Sequence, residues 1–379
     1  MTFNEYKKTL IYKNYSTSKI LLRFIEFKFK NIFYHLILNF NNNKKNKPII
    51  NLRDYHDTRF INYLFYSLKN NFNFSYQKNN RAILFLKKIG IKNFLKHTLP
   101  ENKIDTNLKS YNLLINKKIK NSININTNYF GYINNPKVKN YLVMPYYIYP
   151  QIYNYNYKDY FSFNKKFKFK IFFSGGVYKN VYSKFNWDKN GKKLLTRNQI
   201  LDCLLKEFKN EIFLIREKND LKDNKIFKKK IIFCLYDKMI SKKKYLLNFK
   251  ENYELLSYSA FSLNCPGVVM PICHHLIESI KLGSIPITPS YDLLNPQLSK
   301  KISIQYHNKE SLLDGFYKAL KMKNEEIYTK RKKLREFYKI FFSPQSFEKN
   351  FVKNLNSESP KEILACNDHE SIKQLNFNK

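Results

Sequence analysis

At 379 residues and 43% hydrophobic content the chain can bury two ordinary cores, which excludes an intrinsically disordered protein. Its formal charge of +40, from 69 Lys and Arg against 29 Asp and Glu, points first to nucleic acid or another acidic surface. Lys, Asn, Ile, Phe and Tyr are all abundant while Gly, Ala, Pro and Trp are scarce, however, a bias that an AT-rich coding sequence produces without any partner, so nucleic acid is not the expected ligand.

Five cysteines with no CxxC pair argue against a disulfide framework or a zinc site and for a reducing compartment. The first twenty residues lack a secretory core, and no apolar window is long enough to cross a bilayer. The expectation is a cytoplasmic protein, soluble or peripherally bound to a membrane.

Along the chain, residues 21–40 place apolar side chains near helical spacing. A core or docking helix is favoured over a membrane-surface helix, because the polar face is discontinuous. Residues 41–47 read as a loop, Pro48–Ile50 as a short strand, and the later part of 51–70 as a helix. Ala82–Leu86 is a candidate strand, with helical character from there to His97. The Asn- and Lys-rich residues 101–139 place no element. Lys139–Pro150 reads as a strand ending in a proline turn, and the aromatic, basic stretch after it holds the domain boundary.

The second half is more regular. Phe169–Phe173 is a strand running into Ser174-Gly175-Gly176, and Thr196–Phe208 is a helix capped by Thr196 with Leu201, Leu204, Leu205 and Phe208 on one face. Ile231–Leu235 is a further strand. Residues 260–290 then read as one β-α-β unit: strand Ala260–Leu263, a break at Cys265-Pro266-Gly267, a helix from Ile272 to Leu282 stopped by Gly283, and a buried strand Ile285-Pro286-Ile287. Residues 311–342 are helical, and the tail beyond Asn356 looks loose.

Chemistry concentrates in that unit. The first turn of its helix presents unpaired N–H groups and the positive end of the helix dipole, so Gly267 and the residues after it can cradle a phosphate. Glu278, about two turns into the helix, either accepts hydrogen bonds from ribose hydroxyls or is an inert exposed carboxylate. Only 8 glycines occur in the chain, and Gly175, Gly176, Gly267 and Gly283 fall in two strand-turn-helix segments, where close backbone approach calls for them. In the first half the densest polar cluster is Arg53–Arg59. His56 or Asp57 there could act as a general base, although a structural ion-pair network accounts for the same residues. There is no Asp-x-Asp, so nothing calls for a bound metal or other cofactor, and no P-loop or GxGxxG, which disfavours kinases and dinucleotide enzymes.

Four segments in order resemble the exostosin-like family of glycosyltransferases. They are Val143-Met144-Pro145-Tyr146, Phe172-Phe173-Ser174-Gly175-Gly176, Thr196-Arg197-Asn198, and Tyr253–Thr288 with Phe261, Pro266-Gly267, Glu278 and Gly283-Ser284-Ile285-Pro286 in register. The match spans about residues 140–320. The resemblance implies a GT-B architecture, an α/β fold of two Rossmann-like domains facing across a cleft. The chain then divides into an acceptor-side domain (1–165), a nucleotide-sugar domain (166–345) and a C-terminal helix with tail (346–379). It further implies transfer of a sugar from a nucleotide diphosphate donor to a hydroxyl of a glycan or glycolipid, with inversion.

In that frame Arg197, otherwise a surface arginine, pairs with the diphosphate through its planar fork, Glu278 binds ribose, and Gly175, Gly176 and Gly267 admit the donor. One position departs from the family. Where an arginine usually stands three residues before the glutamate this chain has His275, which either replaces it against phosphate or sugar or is a helix-surface histidine. The competing class is a basic, non-enzymatic protein that binds nucleic acid or a membrane surface.

Overall fold

The computed structural model describes residues 47–52, 58–76, 98–100, 109–116, 122–129, 142–144, 166–182, 188–189, 192–222, 224–236, 246–268, 270–289, 302–356 and 362–366, with isolated helical positions between 18 and 29. The candidate strand 82–86, the candidate base residues His56 and Asp57, most of the helix expected at 21–40 and the proposed domain boundary lie outside the described residues.

The first half supplies β1 (Ile49–Leu52), α1 (Thr58–Leu68), β2 (Asn73–Tyr76), β3 (Thr98–Pro100), β4 (Ser110–Ile115), β5 (Ser122–Asn126) and β6 (Leu142–Met144). The second supplies β7 (Phe169–Gly176), α2 (Arg197–Glu207), β8 (Ile212–Leu214), β9 (Ile231–Tyr236), α3 (Phe249–Tyr258), β10 (Ser259–Leu263), α4 (His274–Leu282), β11 (Ile285–Thr288), β12 (Ile304–Gln305) and α5 (Lys309–Lys321). Helices α6 (Asn324–Phe341) and α7 (Pro344–Leu355) follow, and β13 (Glu362–Ala365) closes the described chain. Seven strands in the order β3-β2-β1-β4-β5-β13-β6 and six in the order β8-β9-β7-β10-β11-β12 form two sheets, parallel throughout. These are the two Rossmann-like units of the GT-B layout.

Parallel strands are covered on both faces, and the second sheet is accordingly built from buried, largely apolar runs such as Ile231–Leu235 and Ala260–Leu263, the latter broken by buried Ser262. The pleat sends Ile171, Phe173, Phe233 and Phe261 to one face, against Ile200 and Leu204 of α2 and Phe316 of α5. Phe172, Ile232 and Cys234 go to the other, against Leu256 of α3 and Leu276 and Ile280 of α4. The neighbouring strands β7 and β10 therefore send their following helices, α2 and α4, to opposite faces. Their carboxyl ends open a crevice of the kind in which doubly wound sheets bind ligands.

Three differences from the sequence reading have local causes. Residues 101–139 place β4 and β5, whose alternation is hidden because asparagines, rather than apolar side chains, pair across the sheet. Asn51 donates to Asn112 (3.1 Å), and Asn124 and Asn126 donate to Glu362 (2.8 and 3.1 Å). The tail expected to be loose instead inserts β13 between β5 and β6, with Ile363 opposite Ile125 and Leu142. The helical region 311–342 is two helices, the second opening on Glu325 and Glu326, a helix-start signal.

The two units share buried surface. Leu364 and Cys366 join the core cluster that contains Ile272, Phe337 and Phe342. Helix α7 packs on α1 through edge-on rings Tyr63 and Phe347, 5.4 Å apart, and the Tyr63 hydroxyl donates to the Phe342 carbonyl (3.3 Å). Among the described residues no helix is long and apolar enough to cross a membrane.

Helix α6 also holds the carboxyl ends of α3 and α4 through one buried side chain. Arg331 donates from Nε to the Gly283 carbonyl (2.8 Å) and from Nη2 to the Ser257 carbonyl (3.2 Å). A cation at two helix carboxyl ends opposes both dipoles favourably. Arg331→Met is expected to lower unfolding stability by about 2–3 kcal/mol, because two carbonyls lose charged donors. A urea titration of the variant against the parent measures it.

Candidate functional site

Thr196 starts α2 as expected, in a reciprocal capping box: its hydroxyl accepts from the Gln199 N–H (3.2 Å), and Gln199 Oε1 accepts from the Thr196 N–H (2.9 Å). The cap fixes Arg197 as the first helical residue beneath the crevice. Its Nε and Nη2 both donate to the Pro266 carbonyl (3.1 and 2.8 Å), and Nη1 donates to the Gly176 carbonyl (3.1 Å). The guanidinium carbon also lies 3.9 Å from the centroid of the Tyr182 ring. Arg197 is thus a buried clamp between the turn after β7 and the turn after β10, and the surface-arginine alternative is set aside. These contacts use three of the five N–H bonds of a guanidinium and leave two for another acceptor.

The glycines are required by the protein's own packing. A Cβ on Gly175 would lie 2.9 Å from the Phe173 ring and 3.5 Å from Arg197 Nη1, and one on Gly176 would lie 3.1 Å from the Tyr182 hydroxyl. The Gly267 N–H closes a turn on the Met270 carbonyl (2.7 Å), and a Cβ there would sit 3.3 Å from that same oxygen. Gly283 ends α4 in the left-handed conformation, φ 69°, as the sequence requires.

Helix α4 begins at His274, two residues later than expected, and is covered on both sides, so that seven of its nine residues are buried. His275 is consequently buried, 6% exposed, which rules out a helix-surface histidine. Its ring lies 6.4 and 6.3 Å from those of Phe172 and Phe173. Neither ring nitrogen makes a hydrogen bond of ordinary geometry. Burial, reinforced by the Arg197 cation, pushes the imidazole down from its ordinary 6.5 to about 4, with the nearby Leu263 carbonyl opposing weakly.

Glu278, one turn further, is 1% exposed and so is not an inert surface carboxylate. It lies beside Lys281, whose ammonium burial pushes down to about 8 while Glu278 pulls it back up. The thiol of Cys265 is pushed up to about 12 by burial against the opposing pull of Arg197, so it is protonated and unreactive.

A seam of hydroxyls fixes α4 on β10. Ser279 donates to Ser262 Oγ (2.9 Å) or to the His275 carbonyl (2.6 Å), and the Tyr306 hydroxyl donates to the Asn264 carbonyl (3.2 Å). Ser174, in the turn approach of β7, bonds to Asn252 of α3. The sequence reading did not single out Tyr182, Ser262, Asn252 or Tyr306, because each acts through a partner distant in the chain. For α3 itself a signal was present, the Asn248-x-x-Glu251 capping box.

The structure therefore brings Gly175, Gly176, Arg197, Gly267 and the amino end of α4, with His275, to one switch-point crevice, with Glu278 one turn along the helix. The class this defines is a doubly wound, two-sheet α/β protein with a basic crevice at a helix amino terminus. No family model matches the chain, and no curated protein matches it. Among solved structures it is similar to the N-terminal domain of Candida albicans trehalose-6-phosphate phosphatase, with 8% identity over 92% of this chain and 77% of that one at a TM-score of 0.35. It is also similar to the DNA-modifying enzyme β-glucosyltransferase, with 13% identity over 82% of this chain and all of the other at a TM-score of 0.33. The wall teichoic acid polymerase TagF aligns with 14% identity over 93% and 97% of the two chains at a TM-score of 0.28. At such scores the chain's own geometry must carry the function.

Proposed function

We propose that this protein is a GT-B glycosyltransferase of exostosin-like type, moving a sugar from a nucleotide diphosphate donor to a glycan or glycolipid hydroxyl with inversion and without a metal. One observation carries the reading: the motif residues, distant in sequence, meet at the β7–β10 switch point, where two glycine-bearing turns, a clamped arginine and a helix amino terminus converge. The N–H groups of α4 and the two remaining N–H bonds of Arg197 stabilise the departing diphosphate, whose charge grows as the glycosidic bond breaks. Glu278 accepts from the ribose hydroxyls.

The acceptor is activated from the first sheet. There the strand order reverses between β1 and β4, and residues 53–57, with His56 and Asp57, directly follow the carboxyl end of β1. A base from that segment takes the proton of the acceptor hydroxyl, whose oxygen forms the new bond at the anomeric carbon on the side opposite the departing diphosphate.

Thermal denaturation with UDP, GDP, ADP and CDP tests the donor side. At 100 times its Kd the matching nucleotide is expected to stabilise the fold by about 2.7 kcal/mol, and Glu278→Gln to remove most of that shift. A flat response to all four nucleotides counts against the proposal.

A further inference from the structure

Three features of the α4 amino end go beyond what a phosphate cradle needs. The helix N-cap, Cys273, makes no side-chain cap hydrogen bond of ordinary geometry, and only its weakly accepting thiol lies near the His275 and Leu276 N–H groups. The next residue but one, His275, is only 6% exposed, and neither Nδ1 nor Nε2 makes a hydrogen bond of ordinary geometry, the Leu263 carbonyl interacting only weakly. An unsatisfied buried imidazole is costly, and a hydrogen-bonded ligand removes that cost.

The third feature is the charge around it. Arg197 from α2 is the cation acting on the imidazole. Cys265 after β10 and Tyr306 after β12 adjoin the same cluster and are held protonated by burial. On its own helix segment stand His274, Cys273 with a raised thiol, and the Glu278–Lys281 pair. Phe172 and Phe173, from β7, bring no charge. A proton on His275 would thus be a second buried positive charge beside Arg197, and a diphosphate is the counter-ion that would stabilise it.

We propose that a donor diphosphate on the α4 amino end is bound together with one proton, taken from solvent onto the imidazole of His275 and returned to solvent when the diphosphate leaves. This rests on the nucleotide-sugar reading of the site. Two negative charges of a diphosphate diester then meet Arg197 and the imidazolium, and the site is neutral overall. Burial holds the imidazole neutral near pH 7 until the ligand arrives, so the proton is taken up on binding and not carried beforehand. His275 thereby does the work of a permanent cation in the bound state only, and donor affinity becomes pH-dependent.

Isothermal titration of the full chain with UDP-glucose and GDP-mannose is the test, since their diphosphate diesters do not titrate between about pH 5 and 8. Repeating each titration in two buffers of different ionisation enthalpy counts the protons. Wild type should take up close to one proton per donor, and affinity should rise up to about tenfold per unit fall in pH. His275→Gln should abolish the uptake and flatten the pH profile. Binding by wild type with no proton uptake, or a profile unchanged in His275→Gln, overturns the inference and leaves the donor site standing. Absence of binding by both probes and by every other nucleotide-sugar tried overturns the donor reading itself. If the Gln variant does not fold, the wild-type proton count decides alone.

Discussion

Arg197→Met should lower unfolding stability by about 2–4 kcal/mol and abolish donor binding in the same protein. The physical reason is that one guanidinium makes three hydrogen bonds to two backbone carbonyls, those of Pro266 and Gly176. Hydrogen bonds from a charged donor are each worth about 1.5–3 kcal/mol, and methionine leaves both carbonyls without them. The relief of a buried cation offsets part of the loss. Face contact with Tyr182 at 3.9 Å adds a further cation–π contribution, also lost. Arg197→Lys separates the two effects. It restores a positive charge, but a single ammonium cannot span both turns as the planar fork does, so it should recover part of the affinity and little of the stability. Urea midpoints and donor titrations on the three proteins read both quantities.

Acid should destabilise the fold through His275. Its folded pKa, about 4, lies below the ordinary 6.5, so between these values the unfolded chain binds more protons than the folded one. The contribution is fully present above about pH 6.5 and is lost as pH falls toward about 4. A shift of that size corresponds to stability on the order of 3 kcal/mol. Carboxylates elsewhere also titrate in this window, so the comparison is a difference of differences. The loss between pH 7 and pH 5 should be visibly smaller in His275→Phe, which keeps a ring against Phe172 and Phe173 but carries no proton. Equal losses in the two proteins would show that the imidazole is not held neutral.

Much of the second unit was legible because its determinants are local. Gly283 at a positive φ, Thr196 as N-cap and the largely apolar strands each declare themselves within a few residues. The first unit was less so. Asn124 and Asn126 look like loop residues until Glu362, far along the chain, is found accepting from both. The same distance hides β13, whose pairing with β5 and β6 no local pattern announces.

In the site, sequence could bring Arg197, Gly267, His275 and Glu278 to attention but not say how they sit. The run Ile272–Leu282 reads as an amphipathic helix with an exposed side, and only the tertiary packing of α4 shows His275, against Phe172 and Phe173, and Glu278 both buried. Likewise nothing local shows that Arg197 engages Pro266, 69 residues away. The glycines were expected to admit a ligand, and the structure adds that Phe173, Tyr182 and Met270 already fill the space a side chain would take.

The most direct test of the central claim is release of nucleoside diphosphate from a panel of nucleotide-sugars, with and without glycan acceptors. A glycosyltransferase with its donor at the β7–β10 crevice consumes one of these donors, faster with acceptor, and loses at least about 100-fold of that rate in both Arg197→Met and Glu278→Gln. Turnover untouched by either substitution would contradict the site. No turnover or binding of any donor, alongside salt-sensitive binding to nucleic acid, would contradict the function and favour a basic binding protein.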